Sequence, residues 1–430
     1  MQLILDFLTL SDWVLESSKR RALERRRRRL DADEDDFSGP HAQKRKRLLL
    51  LLLLTLTKDK KWKDYLTLEG IWRRDRRIPR CALLEPNMSL WQKLYSARND
   101  QSLITLTGFD HAAFESLLYL FEPFFTSYTP WVGEKDGTKF VKVNKRETRG
   151  RPRMVTGASC LGLVLAWYRF KGSEFILCGW FGFTGSHANI WLRFGRRMLL
   201  FALWNNPLAR VAIPTDDKIE SMKNAVAEKY DALSDVFCVA DGLKMAFECC
   251  SGLTKQSMYY NGWKSGHYIS NLFVFSMDGR VIISALNAPG SVHDSTLADW
   301  CGMYDKLERI YNRTGGVCCL DSAFAAMSAP YLIKSSGDVT RARSPVEVRR
   351  ISQATSVRQA SEWGMKAIQG AFPRIKDTLQ YEEAGERKVY LMLMVLLYNT
   401  RLELVGLNQI RNVYLPAWSR DFDTLMDGYI

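Results

Sequence analysis

The sequence has no Cys-x-x-Cys spacing and no apolar run of membrane-spanning length. Its nine cysteines include two adjacent pairs, at 249–250 and 318–319, a pattern that fits neither a zinc module nor a secreted disulfide framework. A membrane-spanning helix needs about 20 apolar residues, and the leucine run Leu48–Leu54 is far shorter. The segment Met1–Leu10 contains Asp6 and no basic cluster, so we expect neither a signal peptide nor a membrane association. Together these absences favour a reducing compartment.

Positive charge is what the sequence has in excess. The 430 residues include 61 Lys and Arg against 47 Asp and Glu, a formal net charge of +14. Such an excess favours a polyanionic partner such as nucleic acid, although ordinary surface charge explains it as well. A hydrophobic content of 47% indicates a folded protein, and the length suits two or three domains.

Charge and periodicity divide the chain into four predicted segments. Residues 1–60 carry the basic clusters Arg25–Arg29 and Lys44–Arg47, which are typical of a disordered basic segment and of a nuclear-import signal. We therefore expect a nuclear protein. Residues 61–215 are predicted to be helical, 216–385 to form an α/β domain, and 386–430 to form a C-terminal helical extension.

The helical segment contains a rhythm that resembles a helix-turn-helix. One amphipathic helix has Phe114, Leu117, Leu118 and Phe121 on one face and is predicted to end at Pro123. Breaks at 171–173 and 181–184 then predict three helices, the last with Ser186 as its N-cap. We predict that this last helix meets DNA phosphates through a basic edge formed by Arg193, Arg196 and Arg197.

The pattern changes to strands after Pro214. An apolar run at Val236–Ala240 ends in Asp241 and predicts a central strand that is buried on both faces. The turn Asp278-Gly279 predicts a hairpin between strands at 268–277 and 280–288. A helix is expected at 295–310, a fourth strand at Val317–Leu320 ending in Asp321, a fifth strand at 331–334, and a long helix at 346–371 that carries Glu362.

Two strand ends and one helix thus supply three acids. The carboxyl ends of neighbouring strands are where ligands gather in α/β sheets, so Asp241 and Asp321 are expected side by side. Converging carboxylates repel one another unless cations lie between them, and Mg²⁺ or Mn²⁺ prefers oxygen ligands. Two such ions, about 3.5–4 Å apart, can stabilise an in-line displacement at phosphorus. Turn or cap roles for the individual acids, and a salt-bridge face on the helix of Glu362, remain alternatives.

Six short blocks resemble the catalytic region of PIF/Harbinger-type DDE transposases. They occur in the family's order within residues 235–376, and their number makes the likeness specific. The blocks are Val239–Gly242, Tyr259–Lys264 with His267, Pro289–Ser295, Leu320–Phe324, Ser361–Lys366 and Phe372–Lys376. Upstream, Arg151–Arg153 and the helices as far as Trp204 look like the family's helix-turn-helix region.

This resemblance implies an RNase H-like core, a mixed sheet whose first three strands are antiparallel. It also implies a metal-dependent nuclease that cuts at terminal inverted repeats and joins the 3′ ends to target DNA. Asp241 matches the first acid and Glu362 the last. For the second acid we favour Asp321, because it ends the fourth strand beside the first, and Asp294 remains the alternative. The family usually works with a separate Myb-like DNA-binding protein, and a homo-oligomer is possible.

Several further residues in these blocks are candidates for DNA contact. Lys264, His267 and Lys366 are predicted phosphate contacts, and ordinary surface roles remain open for them. For Trp263 we favour a partly buried core position over stacking on a base. His293 is interpreted as a helix-start residue with a local hydrogen bond.

Two alternatives to the transposase interpretation stay open. Leu243 and Phe324 depart from the family pattern, although neither is a ligand, so a catalytically inactive, host-adopted DNA-binding protein with the same fold remains possible. A general RNase H-like ribonuclease is the other.

Overall fold

The computed structural model describes residues 78–130, 140–142, 153–249, 252–321, 323–324, 329–334, 344–379, 384–406 and 408–414. By internal contacts the chain divides into two units, Met1–Leu83 and Leu84–Ile430. In the first unit the described residues include a 3-10 turn at Arg80–Ala82. The predicted basic segment 1–60 lies outside the described residues.

The second unit begins with helices. After a 3-10 turn at Pro86–Met88 come α1 (Leu90–Ser96), α2 (Asp100–Thr107), α3 (His111–Ser127), α4 (Gly157–Arg169), α5 (Glu174–Phe181) and α6 (Gly185–Trp204). A short antiparallel ribbon of β1 (Tyr128–Pro130) and β2 (Phe140–Lys142) follows α3. The breaks predicted between α4, α5 and α6 are confirmed.

Trp91 is at the centre of this helical part. It is fully buried, with its ring centroid 5.1 Å from that of Phe181 and 5.6 Å from that of Phe114. A Cβ atom at Gly162 would lie 2.3 Å from the Trp91 ring, so only glycine allows α4 to approach this closely.

Two predicted boundaries in the helical part are wrong. Pro123 lies inside α3, which continues to Ser127. Burial of Phe125 against Trp191 and Phe194, with centroids 5.9 Å away in both cases, offsets the backbone hydrogen bond that proline cannot donate. The N-cap of α6 is Thr184, so Ser186 lies within the helix rather than before it.

A six-stranded mixed sheet forms the α/β part. Its strands are β3 (Val236–Ala246), β4 (Tyr260–Asn261), β5 (Gly266–Ser276), β6 (Val281–Pro289), β7 (Val317–Leu320) and β8 (Leu332–Lys334). The order is β4-β5-β3-β7-β8, with β6 also paired to β5. β5 pairs antiparallel with both β3 and β6. β7 is parallel to β3, and β8 is parallel to β7. The hairpin at Asp278-Gly279 and the fifth strand are confirmed.

The first strand is longer than the sequence indicates. β3 does not end at Asp241 but continues to Ala246, because Asp241 and the residues after it pair with β5, from Asp241↔Phe273 to Ala246↔Tyr268. An Asp-Gly pair is typical of a turn, and here a neighbouring strand overrides that preference.

Helices pack around the sheet. They are α7 (Asp216–Lys229), α8 (Leu253–Tyr259), α9 (Asp294–Trp300), α10 (Met303–Thr314), α11 (Pro345–Ala371) and α12 (Ala384–Val405), with a 3-10 turn at Pro373–Lys376 and a helical turn at 409–414. The single helix predicted at 295–310 is two helices, since Gly302 adopts a positive φ of 64° between α9 and α10. The result is a mixed α/β fold.

Helix α12 belongs to the core. Most of α12 is buried, and its buried residues include the continuous run 393–400. Asn399 ties it to the sheet edge, because its side chain accepts a hydrogen bond from the Val281 amide at 2.9 Å and donates one to the Val281 carbonyl at 3.0 Å. Of the described helices, none is long and apolar enough to cross a membrane.

Candidate carboxylate site on strands β3 and β7

Asp241 and Asp321 follow directly on paired residues of neighbouring strands. Ala240 of β3 is in register with Leu320 of β7, and the two strands run parallel. The residue after each therefore stands at the same level of the sheet. The expectation that these two strands are neighbours is confirmed.

Helix α11 covers the face of the sheet to which Asp241 points. The Ser361 hydroxyl, on α11, lies 3.4 Å from Oδ2 of Asp241 as a hydrogen-bond donor. On β7 the Cys319 thiol donates to the Ala354 carbonyl of α11 at 3.3 Å. Since side chains alternate along a strand, Asp321, two residues after Cys319, continues on the α11 face. The two acids thus share that face.

Glu362 comes from α11 itself, one residue after Ser361. Its Oε1 accepts a hydrogen bond from the Arg358 guanidinium at 3.2 Å, and its side chain is 44% exposed. The four-residue spacing of this pair is that of an intrahelical ion pair. The positive charge of Arg358 also opposes the raised pKa of Asp241, so Arg358 interacts with both predicted ligands.

Asp294 lies against the opposite face of β3. A Cβ atom on Gly242 would be 2.6 Å from Cγ of Asp294, so the side-chain direction of residue 242 points at this carboxyl group. Lys244, two residues on and on the same face, has its Nζ 3.9 Å from Oδ1 of Asp294. Glycine after Asp241 therefore makes room for Asp294.

Burial and mutual repulsion raise the pKa values of Asp241 and Asp294. Burial raises the pKa of Asp241 to about 6, and the charges of Asp321 and, to a smaller extent, Asp294 act in the same direction. The hydrogen bond from the Gly242 amide and the charge of Arg358 oppose this shift. The pKa of Asp294 is also raised by burial, against the charges of Lys244, His293 and Lys264. A bound cation would lower these pKa values, because it favours the ionised carboxylates.

The donor set suits a hard divalent ion. The carboxylates of Asp241, Asp321 and Glu362 supply the oxygen ligands that Mg²⁺ and Mn²⁺ prefer. Among the described residues, however, no three acidic, histidine or cysteine side chains are grouped closely enough to hold an ion as they stand. Glu362 is paired with Arg358 through Oε1, and its carboxylate would have to move closer to Asp241 and Asp321 to complete a site with them.

The predicted basic edge of α6 does not form. Arg196 is only 5% exposed, and its guanidinium lies 3.7 Å from the centroid of the Trp167 ring. Arg197 forms an ion pair with the buried Glu386 of α12. Arg193 is half-buried. A cation–π contact thus holds Arg196 inside the protein, and Arg197 is half-buried in an ion pair.

The other predicted DNA contacts lie on the surface or near it. Lys264 and Lys366 are exposed, and His267 is half-buried with its Nε2 4.0 Å from the Cys249 thiol. His293 is at the start of α9, as predicted, but its side chain makes no capping hydrogen bond. Trp263 is 95% exposed, so the expectation of a partly buried core position is wrong.

Two residues near the acids were not singled out from the sequence. Ser361 contacts Asp241, and Lys244 contacts Asp294. Period-two alternation from Gly242 would have placed Lys244 on the Asp294 face, but only once β3 was known to continue past Asp241. For Ser361, its position beside Glu362 in the sequence was the only signal.

Comparison with known proteins finds a family model that matches part of the chain. Residues 240–399, a little over a third of the chain, match the family model described as DDE superfamily endonuclease. The matched range includes all four acids, at 241, 294, 321 and 362. No curated protein and no solved structure matches the chain significantly. Residues 240–399 are thus similar to the DDE superfamily endonucleases, which indicates a function of the nuclease or transposase type.

Proposed function

We propose that the protein is a divalent-metal-dependent DNA transposase of the PIF/Harbinger type, with an RNase H-like core. It cleaves DNA at terminal inverted repeats and transfers the 3′ ends to target DNA. The observation that supports this most is the common face of Asp241, Asp321 and helix α11, which carries Glu362. The similarity of residues 240–399 to DDE endonucleases supports the same reaction class.

Asp241, Asp321 and Glu362 are the proposed ligands and catalytic residues. Two bound Mg²⁺ or Mn²⁺ ions would supply the charge that activates the nucleophile and stabilises the leaving oxygen. The protein positions the ligands: the parallel register of β3 and β7 fixes two carboxylates side by side, and Ser361 orients Asp241. Arg358, which contacts Glu362, would stand beside a phosphate held at these acids.

Asp294 stays the competing second acid in this proposal. Its carboxyl group packs on the Gly242 face, whereas Asp241 contacts Ser361 on the other face. The charge of Asp321 also raises the pKa of Asp241 more than that of Asp294 does. Both observations favour Asp321.

We also propose binding partners and a cellular location for the protein. The formal net charge of +14 and the basic clusters before residue 48 favour a nuclear protein that binds DNA. Of the three arginines predicted for DNA contact on α6, Arg196 is buried and Arg197 is paired with Glu386. A separate Myb-like protein would therefore supply much of the recognition of the repeats, and a homo-oligomer would bring two DNA ends together.

The test is metal-dependent cleavage of a duplex that carries the inverted repeats flanking this coding region. Asp241→Asn and Glu362→Gln should abolish nicking in Mg²⁺ or Mn²⁺ while far-ultraviolet circular dichroism stays unchanged. Asp299→Asn, an exposed acid on α9, is the matched control and should cut normally. Cleavage by the Asp241→Asn protein at the normal rate would overturn the proposal.

A catalytically inactive DNA-binding protein is the second candidate, and one observation favours it. Glu362 is paired with Arg358, and the acids of the described residues do not form a ready three-ligand group. Salt-sensitive DNA binding without nicking by the unaltered protein, in either metal and with the Myb-like partner present, would decide for this candidate. Cutting of RNA strands with indifference to the repeats would indicate a ribonuclease instead.

A further inference from the structure

Trp263 projects from the tip of a short hairpin formed by β4 and β5. Tyr260 pairs with His267 and Asn261 with Gly266, which leaves residues 262–265 as the connecting turn. Trp263 in this turn is 95% exposed. A tryptophan buries about 150–250 Å² of surface when it packs. An unburied indole at a hairpin tip adds nothing to the core and is available for contact with another molecule.

The turn is held in place. The Asn261 side chain accepts a hydrogen bond from the Lys264 amide at 3.0 Å and donates one to the Gly290 carbonyl at 2.7 Å. Gly290 stands just before the loop that leads to Asp294, so the hairpin is fixed to the segment that carries this acid. A rigid aromatic side chain loses little conformational entropy when it binds.

An exposed lysine, Lys264, stands next to Trp263 in the turn. The hairpin tip thus joins an exposed ring to an exposed ammonium group. This combination of an aromatic platform with cations is the one that single-stranded nucleic acids bind.

The distance from Asp241 to the hairpin tip is short enough for one DNA duplex to contact both. Phe273 pairs with Asp241, and Gly266, where the turn meets β5, stands seven positions before it, which is roughly 23 Å at about 3.3 Å per residue. One turn of duplex is about 34 Å long. The hairpin tip therefore lies within one turn of a scissile phosphate bound at the acids.

We propose that Trp263 stacks on an unpaired base of DNA flanking the cleavage site, with Lys264 contacting a phosphate beside it. An unpaired base is the occupant that fits, because a paired base offers no open face to an indole ring. This inference rests on the proposed function, since it assumes DNA at the acids.

Binding of the full-length protein to two fluorescein-labelled DNAs in EDTA tests the inference. One DNA is fully paired, and the other has the same sequence with a single-stranded tail. Trp263→Ala should weaken binding to the tailed DNA about tenfold, within the range for loss of one base-stacking contact, and binding to the paired DNA by about twofold or less. Trp263→Phe should retain most of the affinity, and Tyr119→Ala, which removes an aromatic side chain that is 82% exposed on α3, should bind like the unaltered protein.

Salt dependence separates stacking from charge. Trp263→Ala should leave the slope of log affinity against log salt unchanged, whereas Lys264→Ala should reduce the slope by about one phosphate contact. Unchanged binding of the tailed DNA by Trp263→Ala, or an equal loss on both DNAs, would overturn the inference. A change in sedimentation without a change in DNA binding would overturn it in favour of a protein-contact surface.

Because binding is measured in EDTA, this result is independent of catalysis. If Asp241→Asn still cut DNA, the proposed function would fail, and the preference for the tail would still report on Trp263. If the tail preference were missing while Asp241→Asn lost nicking, only the inference about Trp263 would fail.

Discussion

The two faces of strand β3 carry acids of the same type in different surroundings. On one face Asp241 meets Ser361 of α11, with Asp321 at the same level of the neighbouring strand. On the other face Asp294 fills the space that Gly242 leaves and lies near the ammonium group of Lys244. The first face gathers carboxylates beside a helix that supplies another, and the second pairs one carboxylate with a lysine.

The difference shows how residues one position apart acquire separate roles. Alternation along a strand sends residues 241 and 242 to opposite faces, so closeness in sequence does not place Asp294 beside the carboxyl group of Asp241. Both acids have a raised pKa through burial. Only the α11 face brings acids from two parallel strands and a helix together, and we assign the metal ligands to it.

The difference between the two faces of β3 should have its largest effect on the rate of DNA cleavage. Asp321→Asn should lower the rate of metal-dependent nicking by about 10³-fold or more, the scale at which loss of one transition-state stabilising group acts. Asp294→Asn should stay within about tenfold of the unaltered protein, in the range of a supporting residue. Single-turnover rates at saturating DNA measure both. The reverse order would move the second ligand to Asp294.

The second effect is on stability as a function of pH in the metal-free protein. Asp241 has a pKa of about 6 when folded, against about 3.9 when unfolded. Between these values the folded state keeps a proton that the unfolded state loses, so the free energy of unfolding falls as pH rises from about 4 to about 6. Two pKa units amount to about 3 kcal/mol, and the raised pKa of Asp294 adds in the same direction.

Urea unfolding in EDTA at pH 4.5 and at pH 7 measures this dependence. Asp241→Asn stays neutral, so its free energy of unfolding should fall less between the two pH values and should exceed that of the unaltered protein at pH 7. Asp299→Asn should retain the full dependence. If the free energy of unfolding changed with pH in the same way for the Asp241→Asn and unaltered proteins, burial would not raise the pKa of Asp241.

A smaller effect concerns the packing of Asp294 on Gly242. The Cβ atom of Gly242→Ala would lie 2.6 Å from the Asp294 carboxyl carbon, and such overpacking costs about 1–3 kcal/mol. Removal of the carboxyl group in a Gly242→Ala, Asp294→Ala double variant should restore most of the loss, with a coupling energy of about 1 kcal/mol or more. Thermal unfolding of the four proteins of this cycle gives the coupling.

Gly262→Ala is the matched control for that cycle. A Cβ atom at Gly262 has no neighbour within 4 Å among the described residues, so this variant should unfold like the unaltered protein. Additive effects of Gly242→Ala and Asp294→Ala would mean that the carboxyl group does not fill the Gly242 face.

Much of the sheet could be predicted because its strands are marked by local signals. The apolar runs before Asp241 and Asp321 are continuous, and the Asp278-Gly279 turn fixes the hairpin between β5 and β6. The extension of β3 beyond Asp241 could not be predicted, since it depends on pairing with a strand some 30 residues away in sequence. The separation of Asp294 from Asp241 follows from that extension.

Exposure was the least predictable property of the candidate site. The arginines of α6 look like a basic edge in sequence, but Arg196 is covered by Trp167 of α4 and Arg197 by Glu386 of α12. Trp263 looks like a core residue by type and is 95% exposed. Burial depends on which distant element packs on a side chain, and residue type gives only an average.

Calorimetric titration with Mn²⁺ tests the assignment of the site most directly, because it needs neither DNA nor turnover. We expect Asp294→Asn to retain the Mn²⁺ binding of the unaltered protein, and Asp241→Asn and Asp321→Asn to lose it. Retained binding in the Asp321→Asn protein together with lost binding in the Asp294→Asn protein would contradict the assignment of the metal to the α11 face of β3.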